Sequence, residues 1–361
     1  MKPPLVSRYH RAGHLMALYL ACLLAAIGCT SSSADSADAP APWSTRLSAG
    51  CTETVSKPST AKSVLDRVEP GDTICFTGDG LAGEDLNMTS SGSAVSPVTL
   101  AADNVTIRSL TVKADHVTVA GFRLIGGEGL TLEGTGVAAR ANAVFDAASD
   151  GVSCVPCTDA VIESNIVKRS DGSGIVIEGE RITVRENEVS ESVKLESGDA
   201  DGIRFFGNGH QLTGNTIRDI SDEGYGDDAP HTDCFQTFDN DRPPTYDVLI
   251  SSNVCENVDV QCLIATGDDR GNSDASDGVP SVVFRGNTCN VGGAQVVLLR
   301  RFPDVQIIGN TISGAEFRGV MVTRGSTETS VIGNTVLGNL RPFEVDETSE
   351  PGFRAEDNVS R

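Results

Sequence analysis

The chain has 361 residues, with 28 Lys and Arg against 50 Asp and Glu and a net charge of −22 at neutral pH. Lys2, Arg8 and Arg11 are the only charged residues among the first 29, so the remainder carries −25. That balance argues against nucleic acid as a partner, because phosphate backbones demand basic patches, and is compatible with calcium or with an uncharged or cationic substrate.

The first predicted element is an export signal. The apolar run Leu15 to Gly28 has 14 residues, too short to span a bilayer and suited to a signal core. It ends in "AAIGC", which resembles the lipobox of bacterial lipoproteins, with Ala26 where a leucine is usual. The resemblance implies cleavage before Cys29, a lipid on that cysteine, and anchoring to the bacterial cell envelope through the lipid alone. Residues 30–50, with "TSSSADSADAPAP", read as a flexible tether. One domain, 51–361, is expected to follow, as a monomer. Its core must be made of small aliphatic layers: the only Trp, Trp43, lies in the tether.

"STAKSVLDRV", Ser59 to Val68, predicts a short helix with a Ser/Thr cap that closes the N-terminal end of the domain. From about residue 103 the chain repeats. "VIESNIV", "TVRENEV", "QLTGNTI", "LISSNVC", "VFRGNTC", "IIGNTI" and "VIGNTV" each place an Asn after an apolar stretch, at 165, 187, 215, 253, 287, 310 and 334, with Asn142 in the same role. The base period is about 23 residues, with three expanded turns, as in a solenoid. Val- and Ile-rich strands alternate between Gly and Asn, and no helical periodicity appears after residue 70. Asn tolerates the left-handed backbone of a sharp bend, and asparagines stacked turn upon turn can bond one another.

These features resemble the pectate-lyase-like superfamily over roughly residues 50–345, and "PGDTICFTGDG" and "SGSAVSPVTL" are similar to its first rungs. The resemblance implies an all-β fold, a right-handed parallel β-helix with a short N-terminal capping helix. Its motifs are shared by hydrolases, lyases and proteins without known activity, so they speak to fold more than to function. The paired aspartates and Gly-His-Gly of polygalacturonases are absent, and no family's catalytic residues carry over.

Counting back from each Asn aligns a second strand per turn: "DGVSCV", "SGIVIE", "DGIRFF", "DCFQTF", "QCLIAT", "QVVLLR" and "RGVMVT", starting at 150, 173, 201, 233, 261, 295 and 318. Third and fifth positions should face the core, fourth and sixth outward. Cys234 and Cys262 then share one column, Cys255 and Cys289 another. Neighbouring strands are about 4.8 Å apart, within the range of a disulfide, so bridges Cys234–Cys262 and Cys255–Cys289 are expected. Cys51–Cys75 and Cys154–Cys157 are the leftover pairings.

Insertions at 190–200, 218–232, 239–246 and 267–280 flank this strand column on both sides, which predicts a groove. Its floor would present Arg204, Phe206, Gln236, Phe238 and Arg300, and its walls Tyr225 and Tyr246, as sugar-binding groups. Asp201 and Asp233 head adjacent rungs, where two carboxylates repel and one pKa must rise. That division suits glycosidic cleavage, with His231 relaying protons. Asp199 and Asp228, with the same pair, are candidate calcium ligands that could serve a lyase using Arg204, Arg300 or Lys194. His116 and His210 read as turn residues. "GDDRGNSDASDG", Gly267 to Gly278, resembles a calcium loop in composition only and reads as a solvated loop. The leading expectation is a surface enzyme cleaving polysaccharide, hydrolase ahead of lyase. A non-catalytic carbohydrate-binding or structural β-helix is the alternative.

Overall fold

A computed structural model describes residues 50–267 and 279–361. The signal segment, the tether with Trp43, Cys29 and most of the 267–278 loop lie outside the described residues. Among those described, one parallel sheet gathers eleven strands and a second gathers twenty-two. From Leu130 onward each turn feeds one longer strand to the first sheet and two shorter ones to the second. Strands Asp201–Asn208, Gln211–Thr213 and Thr216–Ile220 make one such turn. This is a parallel β-helix.

The register confirms the aligned column. Ile175 pairs with Ile203, Ile203 with Phe235, Phe235 with Leu263, Leu263 with Val297 and Val297 with Val320. All six are fully buried, as are Ile177, Phe205, Thr237, Ala265, Leu299 and Val322 two positions on. Stacked aliphatic layers therefore supply the core. The strands continue beyond residue 345, with Arg354–Glu356 and Val359–Ser360 adding to the stack.

The asparagines form an unbroken buried ladder from Asn142 to Asn334, ending on the half-buried Asn358. At each step the Oδ1 of one Asn accepts both the backbone N–H and the Nδ2–H of the Asn one turn earlier, at 2.8–3.1 Å. The left-handed bend falls one residue before the Asn. Ser164, Glu186 and Ser252 carry φ of 55°, 56° and 58°, and glycines stand at 214, 286, 309 and 333. Asn is thus required for its side chain, while the bend is left to its neighbour. The helix runs Pro58–Leu65, with Pro58 rather than a Ser cap opening it, and buries Ala61, Val64 and Leu65 against the first strands.

The cysteine columns are correct but the expected bridges are not. The structure pairs Cys234 with Cys255 and Cys262 with Cys289, each within a turn, at Cα separations of 6.1 and 5.9 Å. Cys51–Cys75 and Cys154–Cys157 form as the leftover pairs. The second position of each rung explains the change. A Cβ added at Gly174 would lie 2.1 Å from Val189 Cγ1, and one at Gly202 would lie 2.6 Å from Ile217 Cγ2. That position therefore points across the interior at the opposite sheet of its own turn. Where glycine gives way to Cys234, the facing residue is Cys255, in register with Ile217. The thiols meet across the core and not along the stack. Proteolytic peptide mapping of the unreduced protein should accordingly recover residue 234 linked to 255 and 262 linked to 289. Linked peptides 234–262 or 255–289 would contradict the fold as described.

Candidate functional site

The head residues of the long strands form a polar ladder of their own. Asp150 Oδ1 accepts the N–H of Ser173 at 2.8 Å, Asp201 Oδ1 that of Asp233 at 3.1 Å, and Asp233 Oδ1 that of Gln261 at 3.0 Å. One oxygen of each aspartate is thus committed to the backbone, as turn residues often are. Asp201 and Asp233 are fully enclosed. The second oxygens differ in partner. Asp201 Oδ2 accepts from the Arg204 guanidinium, whose Nη2 also reaches Asp199 at 3.1 Å. Asp233 Oδ2 has only the amide of Gln236, at 3.3 Å.

This asymmetry separates the two acids. Burial pushes Asp201 up to about 7, opposed by the adjacent Arg204 charge. Burial and the charge of Asp201 together push Asp233 well above the ordinary carboxylate range, with no cation bonded to it. Asp233 therefore holds its proton after Asp201 has lost one. Asp150 is also raised, by burial.

The outward aromatics correct the expected groove floor. Phe206 and Phe238 do meet edge to face, their centroids 4.8 Å apart. Phe206, however, is fully buried, because Arg242 of the 239–247 loop lies over its ring at 4.9 Å while bonding Glu178. Gln236 is also buried. Phe238 remains half-exposed, with Arg204 5.7 Å from its centroid. Arg300 is exposed two rungs further on, in the same column as Phe238 through Thr266.

The loops leading into the Asp201 and Asp233 strands are laced together. Lys194 donates its N–H to Tyr225 Oη and its Nζ to both the carboxylate and carbonyl of Asp228. His231 is exposed; its backbone carbonyl accepts the Ala200 N–H and its own N–H approaches Asp199 Oδ1. Tyr225 and Asp228 therefore belong to the lacing, and Tyr246 pairs with Asn208 at the far end of the strand. Asp171 went unnoticed in the sequence. It accepts three loop N–H bonds, from Leu195, Glu196 and Ser197, and so shapes the 191–200 loop. Gln261 was placed in the ladder by alignment, but nothing in its residue type marked it.

His210 is structural, as expected. Its Nδ1 accepts the Ile182 N–H and its Nε2 bonds the Phe206 carbonyl, and burial lowers its pKa to about 4. His116 sits at φ 53°, a turn residue. Asp199 and Asp228 do not form a common calcium site: one is bonded to Arg204 and the other to Lys194. No cluster of three His, Cys, Asp or Glu side chains placed to hold a metal occurs among the described residues.

No curated protein matches the chain by sequence. Among solved structures, a mannuronic acid specific polysaccharide family 6 lyase from human gut microbiota is similar at TM-score 0.57 and 11% identity. The alignment covers 86% of this chain and 91% of that one. The catalytic unit of a GH87 α-1,3-glucanase from Streptomyces thermodiastaticus has TM-score 0.57 and 12% identity, over 80% of this chain and 63% of that one. A PL6 family alginate lyase, AlyGC, has TM-score 0.54 and 12% identity, over 85% and 51%. At such identities the likeness concerns the fold. The family model described as "Right handed beta helix region" matches residues 87–217 and 128–336, and the chain belongs to that right-handed β-helix family.

Proposed function

We propose that the protein is a polysaccharide-cleaving glycoside hydrolase, with Asp233 as general acid and Asp201 as the ionised partner that activates water or attacks the sugar. The observation that carries this reading is the unequal pair: two enclosed carboxyls on adjacent rungs, one bonded to Arg204 and one bonded only to an amide. An acid that keeps its proton beside a carboxylate is what glycosidic cleavage needs. His231 stands exposed beside Asp199, where its side chain can meet a substrate. The similar folds named above include a glucanase and lyases, which supports a carbohydrate substrate. A lyase would need a cation beside the acids to neutralise a uronate; Arg204 there is held by Asp199 and Asp201, Lys194 is held by Asp228, and the exposed Arg300 stands two rungs away. Because Asp201 and Asp233 are enclosed, substrate reaches them when the Lys194–Tyr225–Asp228 lacing opens. The signal run and Cys29 support action from the cell envelope.

The test is incubation of the purified protein with a panel of polysaccharides. New reducing ends without an ultraviolet-absorbing unsaturated product are expected. An unsaturated product would assign a lyase, and binding without either product, unchanged in Asp233→Asn, would leave only the carbohydrate-binding role.

A further inference from the structure

Two acceptors flanking Asp233 have no donor. Gln236 Oε1 and Gln261 Oε1 are buried without a hydrogen-bond partner, on residues only 6% and 5% exposed. A buried acceptor left unsatisfied is costly, so each calls for a donor that arrives with a ligand. Both residues are tied to the acid, Gln236 through its amide to Asp233 Oδ2 and Gln261 through its N–H to Asp233 Oδ1. Turning the Gln236 amide over would satisfy its oxygen only with the Asp233 proton, the one the leaving group requires.

The charges around these acceptors disfavour an anion. Asp150, Asp199 and Asp201 gather about Arg204, and Asp233 stands beside Asp201. Beside the acids the cations are paired, Arg204 with Asp199 and Asp201, Arg242 with Glu178, and Lys194 with Asp228, and the exposed Arg300 stands two rungs away from Asp233. The −25 charge of the chain beyond its signal repels a polyanion at longer range. Along the stack, the outward position of Gln236 continues as the buried Ile264 and then the half-exposed Leu298 and Met321, in register. Phe317, 46% exposed, stands at the entry to the Met321 strand. Rungs advance by about 4.8 Å, of the order of one sugar residue, and an apolar stripe suits the C–H faces of sugar rings.

We propose that the substrate is an uncharged glycan lying along the stack from the Asp233 rung toward Phe317, with hydroxyl groups donating to Gln236 Oε1 and Gln261 Oε1. This rests on the hydrolase reading for its geometry, but it is tested by binding. The full-length Asp233→Asn protein is run in affinity gels containing glucans, mannan or xylan, and separately alginate or polygalacturonate. Retardation by at least one neutral glycan and by neither polyuronate is expected. Phe317→Ala in the same background should weaken binding of oligosaccharides of five or more sugars by roughly tenfold and leave disaccharide binding unchanged. Gln261→Met should weaken both. Retardation by a polyuronate, or by no glycan at all, would overturn the proposal, as would long-chain binding indifferent to Phe317→Ala. A protein that binds neutral glycans and cuts none would overturn the hydrolase reading alone.

Discussion

Asp233→Asn should lower kcat for polysaccharide cleavage by about a thousandfold, the usual scale for loss of a general acid, while leaving the fold intact. Asparagine keeps the Oδ1 that accepts the Gln261 N–H and the outline of the carboxyl. Substrate affinity should therefore change little, and the loss should appear in kcat. Stability moves the other way. The folded Asp233 has a raised pKa against an unfolded value near 3.8, so the folded state holds a proton the unfolded chain has released. Its contribution to stability thus falls as pH rises above about 4 toward the folded pKa. The variant lacks that loss, and its melting temperature should gain on the parent between pH 4 and pH 8. Parent activity should be bell-shaped, with an acid limb set by Asp201 near 7 and an alkaline limb set by Asp233. Full activity in Asp233→Asn, or a melting-temperature difference that shrinks with rising pH, would remove Asp233 from the role of acid.

Asn215→Ala should destabilise the domain by about 3–5 kcal/mol, measured by urea unfolding. The fully buried side chain makes four hydrogen bonds: Oδ1 accepts the Asn187 N–H and Nδ2–H, and Nδ2 donates to the Val184 carbonyl and to Asn253 Oδ1. Truncation strands polar groups on both neighbouring turns, each costing about 1–3 kcal/mol. Asn215→Asp should fare as badly, since an ionised carboxylate offers no donor to Val184 or Asn253. Asn358→Ala, at the half-buried end of the ladder, should cost about 1 kcal/mol or less. Equal costs at 215 and 358 would mean the ladder contributes no cooperative stability.

Much of this was legible because a solenoid writes its register into its sequence. Asn165 to Asn334 mark each turn, and counting back from them placed Asp233 beside Gln261 and Phe235 beside Leu263, as observed. What sequence spacing lacks is side-chain direction at a corner. Cys234 and Cys262 share a column, yet the position they occupy faces inward, so each bridges across its own turn. Burial of outward residues was equally hidden. Phe206 is covered by Arg242, 36 residues later, in a loop whose path no local pattern specifies. For the same reason the expected exposed site became an enclosed one. Asp201 and Asp233 were paired correctly by their rungs, while their complete enclosure is not written in the spacing. Lys194, Tyr225 and Asp228 were read as possible chemistry and act as ties.

The within-turn disulfides have a consequence for how this molecule can change. Cys234–Cys255 encloses the 239–247 excursion, and Cys262–Cys289 encloses the excursion between Thr266 and Val282. Each bridge closes a covalent ring of chain that includes the excursion, at about 3–4 kcal/mol per closure by chain-entropy reasoning. Within the 239–247 excursion, Arg242, Thr245 and Tyr246 are held to the stack, covering Phe206, bonding Thr237 and pairing with Asn208, while the residues between them can drift. The Cys234–Cys255 ring is thus a frame into which a new recognition segment can be grafted between those anchors, whereas the 191–200 and 221–232 loops, with no such ring, depend on the residues that tie them.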